Sequence, residues 1–244
     1  MNDASTALYR KPAMRWPLRL FIAVLGAAVI GFAYLGPELR PYLVGALLAA
    51  GGYLAWSAWD ALRGRAAALQ ARLDRWRAAP GVLEHEGDLH FKEDGQPLLA
   101  RLDEARSGPT VAVLTPLRET TAAFRIANRA LPLPGFDGRE PAVGGPSLSA
   151  LPGVQLLLHD ALIVEGNEPA QLQRWLDEAL VSALVTAVRD HPDTFRGLTF
   201  DGRFLAVHWV GAPADDPGMA RALSAPLWRP FVPRLPPTRL ELLN

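Results

Sequence analysis

LFIAVLGAAVIGFAYLG at residues 20–36 and YLVGALLAAGGYLAWSAW at residues 42–59 are uncharged apolar runs, parted only by Pro37, Glu38, Leu39, Arg40 and Pro41. A helix rises about 1.5 Å per residue and needs roughly 17–25 apolar residues to cross a hydrocarbon core. Both runs reach that length with their flanks. Arg19 can lead its charge back to the headgroups along its own methylenes, so the first span is read from Trp16. Amphipathic rings favour the membrane–water boundary, and Trp16, Tyr34, Tyr42, Trp56 and Trp59 mark the four expected crossings, with Arg19, Arg63 and Arg65 beside them. The sequence therefore predicts a transmembrane helical hairpin over residues 16–62, closed by a five-residue turn with two prolines.

A secretory signal peptide is the rival reading of the first run, with Arg10, Lys11, Arg15 and Arg19 as its basic region and residues 31–33 as a small-residue cleavage point. A signal peptide requires no second span five residues later, and its apolar region is usually only about 7–15 residues long. A hairpin buried in a soluble core is the other rival, and bilayer-matched lengths argue against it.

Basic residues near span ends stay preferentially on the cytoplasmic side. Arg10, Lys11, Arg15 and Arg19 precede the first span, Arg63, Arg65, Arg72, Arg75 and Arg77 follow the second, and the turn between holds only Arg40. The expected topology is multi-pass in a bacterial inner membrane, with both termini cytoplasmic.

Net charge is zero, yet it is divided: residues 1–79 carry ten Lys and Arg against four Asp and Glu, and the remainder carries fifteen against twenty-one. The basic part suits an anionic leaflet, where each cation near the surface contributes about 1 kcal/mol. The acidic remainder lacks the basic footprint that phosphate backbones require, so nucleic acid is not an expected partner. With no cysteine, the chain has no disulfide, thiolate metal site, thiol nucleophile or Cys-linked lipid.

The organisation expected is a basic tail at 1–15, the hairpin at 16–62, a basic amphipathic stalk helix at 63–79 and an α+β domain at 80–244 ending in a Pro-rich arm. No proline interrupts residues 60–79, and Leu62, Leu69, Leu73 and Trp76 share one stripe, so the second span is read as a helix running on to Pro80. Such a stalk can lie on the bilayer, pair with a second copy or pack on its own domain.

Beyond Gly81 the period becomes extended. Residues 82–86 and 89–92 read as strands, Asp94-Gly95 as a turn, 98–106 as a short helix, and 110–114 and 122–131 as strands. Residues 131–152, rich in Pro, Gly and Ser, exceed an ordinary loop and are read as a flap or a disordered segment. Residues 154–158 and 161–165 follow as a bent strand or a tight pair. One helix is predicted from an Asn167 N-cap to Pro192, then a hairpin with Asp201-Gly202 in a type I′ turn, then a helix over 216–227. Strands, helix, hairpin and helix in that order predict α+β with a mostly antiparallel sheet.

None of the five histidines joins a motif. His85 and His90 lie in His-Glu-Gly-Asp-Leu-His, one residue too long for His-Glu-x-x-His and with a Gly-Asp turn in its middle; five residues apart they share a face of neither one strand nor one helix, and they read as exposed hairpin residues. His191 reads as a helix C-terminal residue and His208 as a hydrogen-bonded core residue. Ser147 and Ser149 lack the Gly-x-Ser-x-Gly elbow, and no P-loop is present. No cofactor or metal is expected. The arm with Pro230, Pro233, Pro236 and Pro237 reads as wrapping its own domain, because Trp228, Phe231, Val232 and Leu235 give it apolar surface to bury.

Small residues align at Ala23, Ala27 and Gly31 on the first span and at Gly45, Ala49 and Gly52 on the second, a pattern that lets helices approach closely within the hairpin or between copies. Neither span interior holds an ionisable group, which disfavours a pore. The expectation is a non-enzymatic, membrane-anchored partner-binding or assembly module, with a protein partner or a homo-oligomer. The alternative is a membrane-tethered, hydrolase-like enzyme using His159, Asp160 and Glu165, and it requires those three side chains to converge.

Overall fold

Apolar residues recurring at every second position, the period of a strand with one buried face, dominate the chain from Leu83 onward. The computed structural model describes residues 36, 40–85, 88–105, 108–131, 133, 148–155, 158 and 160–236. The chain divides into two units, Met1–Ala68 and Leu69–Asn244. Helix α1, Arg40–Arg77, contributes to both.

In the second unit, nine strands among the described residues form one sheet: β1 (Leu83–His85), β2 (Asp88–Glu93), β3 (Gln96–Ala105), β4 (Gly108–Pro116), β5 (Phe124–Asn128), β6 (Ser149–Ala150), β7 (Leu162–Gly166), β8 (Phe195–Phe200) and β9 (Phe204–Val210). Their spatial order is β1-β2-β3-β4-β9-β8-β5-β7-β6, with each neighbouring pair antiparallel. The helices are α2 (Pro152–Gln155), α3 (Pro169–Trp175), α4 (Glu178–Asp190), α5 (Ala212–Asp215) and α6 (Pro217–Trp228), the last followed by a 3-10 turn at Arg229–Phe231. The fold class is thus α+β with an antiparallel sheet.

Alternation fixes the buried face. Leu205, Val207 and Trp209 on β9 and Val111 and Val113 on β4 are buried in one core with Leu180 and Leu184 of α4. Burying a side chain of this size contributes about 1.5–3 kcal/mol. Phe124, Trp175, Phe200 and Phe231 form an aromatic cluster at one end, with the Trp175 and Phe200 rings edge to face at 5.5 Å. The arm after α6 joins it: Phe231 is buried, Leu235 accepts a hydrogen bond from the Arg118 amide, and Arg234 binds Asp177 and the Trp175 carbonyl.

Several sequence expectations are corrected. The expected hairpin at 16–62 is not supported: among the described residues no helix is long and apolar enough to cross a membrane. Residues 20–35 lie outside the described residues. The second run is the N-terminal half of one 38-residue helix, its aliphatic content diluted by glycines, tyrosines, tryptophans and Ser57. Of the helix expected over residues 98–106, residues 98–105 instead form most of β3, because Leu98 and Ala100 turn inward while Arg101 turns outward, and pairing with β2 and β4 overrides the helix propensity of Leu, Ala, Arg and Glu.

The single helix over 167–192 is two. Asp177 caps α4 by accepting the Leu180 amide at 2.9 Å, while Asn167 ties the Ala123 amide to the Thr121 carbonyl instead of capping a helix. Residues 152–155 are a helical turn, where a bent strand was expected from residue 154. The type I′ geometry falls at Asp94-Gly95, with φ of 52° and 79° between the paired Glu93 and Gln96. At the second Asp-Gly only Gly202 is left-handed, with φ of 99°, and the Asp201 carboxylate accepts the Arg203 and Phe204 amides across a three-residue loop. Of the long segment at 131–152, residues 134–147 lie outside the described residues.

Candidate functional site

Helix α1 carries the residues on which the functional reading depends, and its two halves differ. Ala and Leu supply helix propensity throughout, Arg75 and Arg77 in the last turn complement the dipole, and the chain turns at Pro80 and Gly81, where φ is 72°. Residues 40–68 belong to the first unit. Among the described residues, Tyr42, Val44, Leu48, Tyr53, Trp56, Trp59 and Leu62 are exposed, Leu48 by 72% and Trp56 by 62%. Tyr53 and Trp56 lie 6.2 Å apart, and the Arg63 guanidinium covers the Trp59 ring at 5.1 Å. Arg65 is exposed one turn past Ala61. Gly45, Ala49 and Gly52 are also exposed, and a Cβ at either glycine would meet nothing within 4 Å. Trp16, Arg19, Ala23, Ala27, Gly31 and Tyr34 lie outside the described residues.

The last turns, residues 69–77, belong to the second unit and are built into it. Trp76 is fully buried, its indole N–H donates to the Ala214 carbonyl at 3.0 Å, and its ring packs against Phe91. Arg72 binds Glu104 of β3 and, at 2.8 Å, Asp215 of α5, which also receives Arg75 at 2.6 Å. Arg77 holds Glu84 of β1 through two hydrogen bonds of 2.7 and 2.8 Å. That contact raises the Arg77 pKa and lowers that of Glu84. Of the three uses open to the stalk, its end packs on its own domain. Partners up to 143 residues away complete this junction. Only the placing of Trp76 on an apolar stripe hinted at it.

The outward face of the sheet carries a polar layer. Arg125 of β5 pairs in register with Thr199 of β8 and with Glu165 of β7. The Thr199 hydroxyl lies 2.8 Å from His208 Nε2. Burial, followed by the positive charges of Arg196 and Arg125, lowers the His208 pKa to about 4, so the ring is neutral at neutral pH. A bulge between Phe195 and Gly197 inserts the buried Arg196. Gly197, at φ of 149°, lies so close to β5 that a Cβ would meet the Ile126 carbonyl at 2.3 Å. The sequence reads His208 as a hydrogen-bonded core residue; it is hydrogen-bonded but lies half-buried on the outward face, and nothing in the sequence marked Thr199 as its partner, since that depends on how β8 and β9 register across a bulge.

Of the alternative catalytic set, His159 lies outside the described residues. Asp160 is exposed just before β7, whereas Glu165 is half-buried near that strand's far end, beside Gly166. The extended chain from Leu162 to Glu165 alone covers about 10 Å. The two carboxylates are therefore not brought together.

His191 is the C-cap residue of α4, its ring 6.0 Å from that of Trp209. His85 and His90 stand on the two paired strands β1 and β2, with ring centroids 5.8 Å apart. Among the described residues no group of three or more His, Asp and Glu is arranged to hold a metal ion.

No family model and no curated protein matches the chain. Among solved structures it is similar to the mycobacterial trehalose monomycolate transport factor A, TtfA, at a TM-score of 0.42 and 13% identity, over 62% of this chain and 74% of that one. A likeness at that level carries no inference about activity.

Proposed function

We propose that this chain is a membrane-attached, non-enzymatic partner-binding or assembly module on the cytoplasmic face of a bacterial inner membrane. The observation that supports it is the exposure of tyrosine, valine, leucine and tryptophan side chains along residues 42–62 of α1. Water is a poor solvent for so much apolar surface on one helix, and lipid is a good one. No charged residue lies between Arg40 and Asp60, and Arg63 over Trp59 is the pairing that an interfacial ring and a headgroup-directed cation would adopt. We read these residues, together with the uncharged run at 20–36 of the sequence, as the part of the chain that attaches to the membrane. The reading as a binding module draws on the α1 end, where Trp76 and three arginines fix the helix to strands and to helix α5 of the domain, an arrangement that suits holding a surface in place.

The cysteine-free sequence gives a clean test. Single-cysteine variants Glu38→Cys and Asp94→Cys are probed in intact cells with a membrane-impermeant thiol reagent, after carbonate washing has established membrane retention. Retention with labelling at position 38 alone is the expected result. Release by carbonate overturns the anchor, and labelling at position 94 alone overturns the orientation.

A further inference from the structure

The hairpin of β1 and β2 carries two imidazoles on one outward face. Leu83 pairs with His90 and His85 with Asp88, and cross-strand partners in an antiparallel ladder share a face, so His85 and His90 are diagonal neighbours. Their rings lie 5.8 Å apart and nearly perpendicular, at 73°. We propose that His85 and His90 form a two-histidine chelate for a divalent transition-metal ion of the zinc, nickel and copper class.

Metal–imidazole bonds of about 2.0–2.1 Å place the centroids of two rings on one tetrahedral ion roughly 5 Å apart. A shift of less than about 1 Å closes the difference, and the soft χ2 torsion of histidine lets each ring turn one nitrogen toward a shared point. Each ring keeps its second nitrogen for a hydrogen bond, as metal-bound histidines do. Asp88 on the same face is engaged by Arg101 through two bonds of 2.8 Å, so it supplies nearby negative charge and leaves the remaining coordination positions to water or to a partner's ligand. Imidazole donors select zinc, nickel and copper over magnesium and calcium, which favour oxygen. A bound ion clips edge strand β1 to β2.

The full chain in detergent micelles is titrated with CuCl2, ZnCl2 and MgCl2 by calorimetry, alongside His85→Gln, His90→Gln and the double variant. Copper binds more tightly than zinc, and magnesium does not bind. Each single variant loses at least tenfold in zinc affinity and matches the double variant, while thermal midpoints without metal stay at the wild-type value because both side chains face outward. Zinc raises the midpoint of the wild type and leaves those of the variants unchanged. Equal zinc affinity in wild type and double variant overturns the proposal, as does a single variant that binds like the wild type.

Discussion

One helix solves opposite problems in its two halves. Residues 40–68 are the more apolar and expose Tyr42, Leu48, Trp56 and Trp59, whereas residues 69–77 carry four charged side chains and yet hold the fully buried Trp76. Composition therefore does not decide which part of a helix is covered. Burial at the C-terminal end comes from a complementary seat formed by Phe91, Ala214 and Asp215, while the other end has apolar surface without such a seat among the described residues. Arginines reinforce the difference: at the C-terminal end they pair with carboxylates of the domain, and at Arg63 the guanidinium lies on the ring of its own helix.

Trp76→Ala tests the comparison most severely. It removes a buried ring and leaves the Ala214 carbonyl unpaired, so domain stability in denaturant falls by about 3–5 kcal/mol. Trp59→Ala, an aromatic truncation in the exposed half, shifts the same unfolding midpoint by less than about 0.5 kcal/mol. Equal losses would erase the distinction between the halves.

Leu48→Arg acts on the other half. An arginine at the centre of a lipid-facing helix costs about 2.5–3.5 kcal/mol in insertion, so the membrane-bound fraction after carbonate washing drops while the domain's unfolding midpoint holds. Undiminished retention would mean that residues 42–59 do not contact lipid.

Acid response separates the helix junction from the sheet. His208 has a folded pKa of about 4, below its unfolded value, so its contribution is complete above about pH 6.5 and is lost as pH falls from there toward 4. The expected loss is roughly 2–3 kcal/mol after allowing for partial exposure, measured as unfolding free energy at pH 7.5 and 4.5, and His208→Gln flattens it.

Arg72→Met removes charged hydrogen bonds to Glu104 and Asp215 and costs about 1.5–3 kcal/mol, with non-additivity against Glu104→Gln as the check. The smallest effect belongs to Glu84. Arg77 lowers its pKa, so its contribution is present above the ordinary glutamate range and fades as pH drops through the folded value, and Glu84→Gln removes only that acid-side slope.

Much of the domain was legible in the sequence. Extended apolar runs placed β2, β4, β8 and β9, the break at Pro192 placed the end of α4, and the helix expected over 216–227 is α6. Residues 98–106 misled because their helix-forming residues sit between two strands that demand a third. The boundary at Asp177 was hidden inside an otherwise continuous apolar face. His85 and His90 were legible as hairpin residues on either side of Gly87-Asp88, whereas the register that makes them diagonal neighbours was not.

The sequence alone determined the division of charge, the apolar runs and the alternation that makes an antiparallel α+β domain, since these follow from local periodicity and composition. The tertiary structure decided which half of α1 is seated, which arginines meet Glu104 and Asp215, and that two histidines of one hairpin become diagonal neighbours. Those outcomes depend on strand register and on contacts across more than a hundred residues, and no local pattern encodes either.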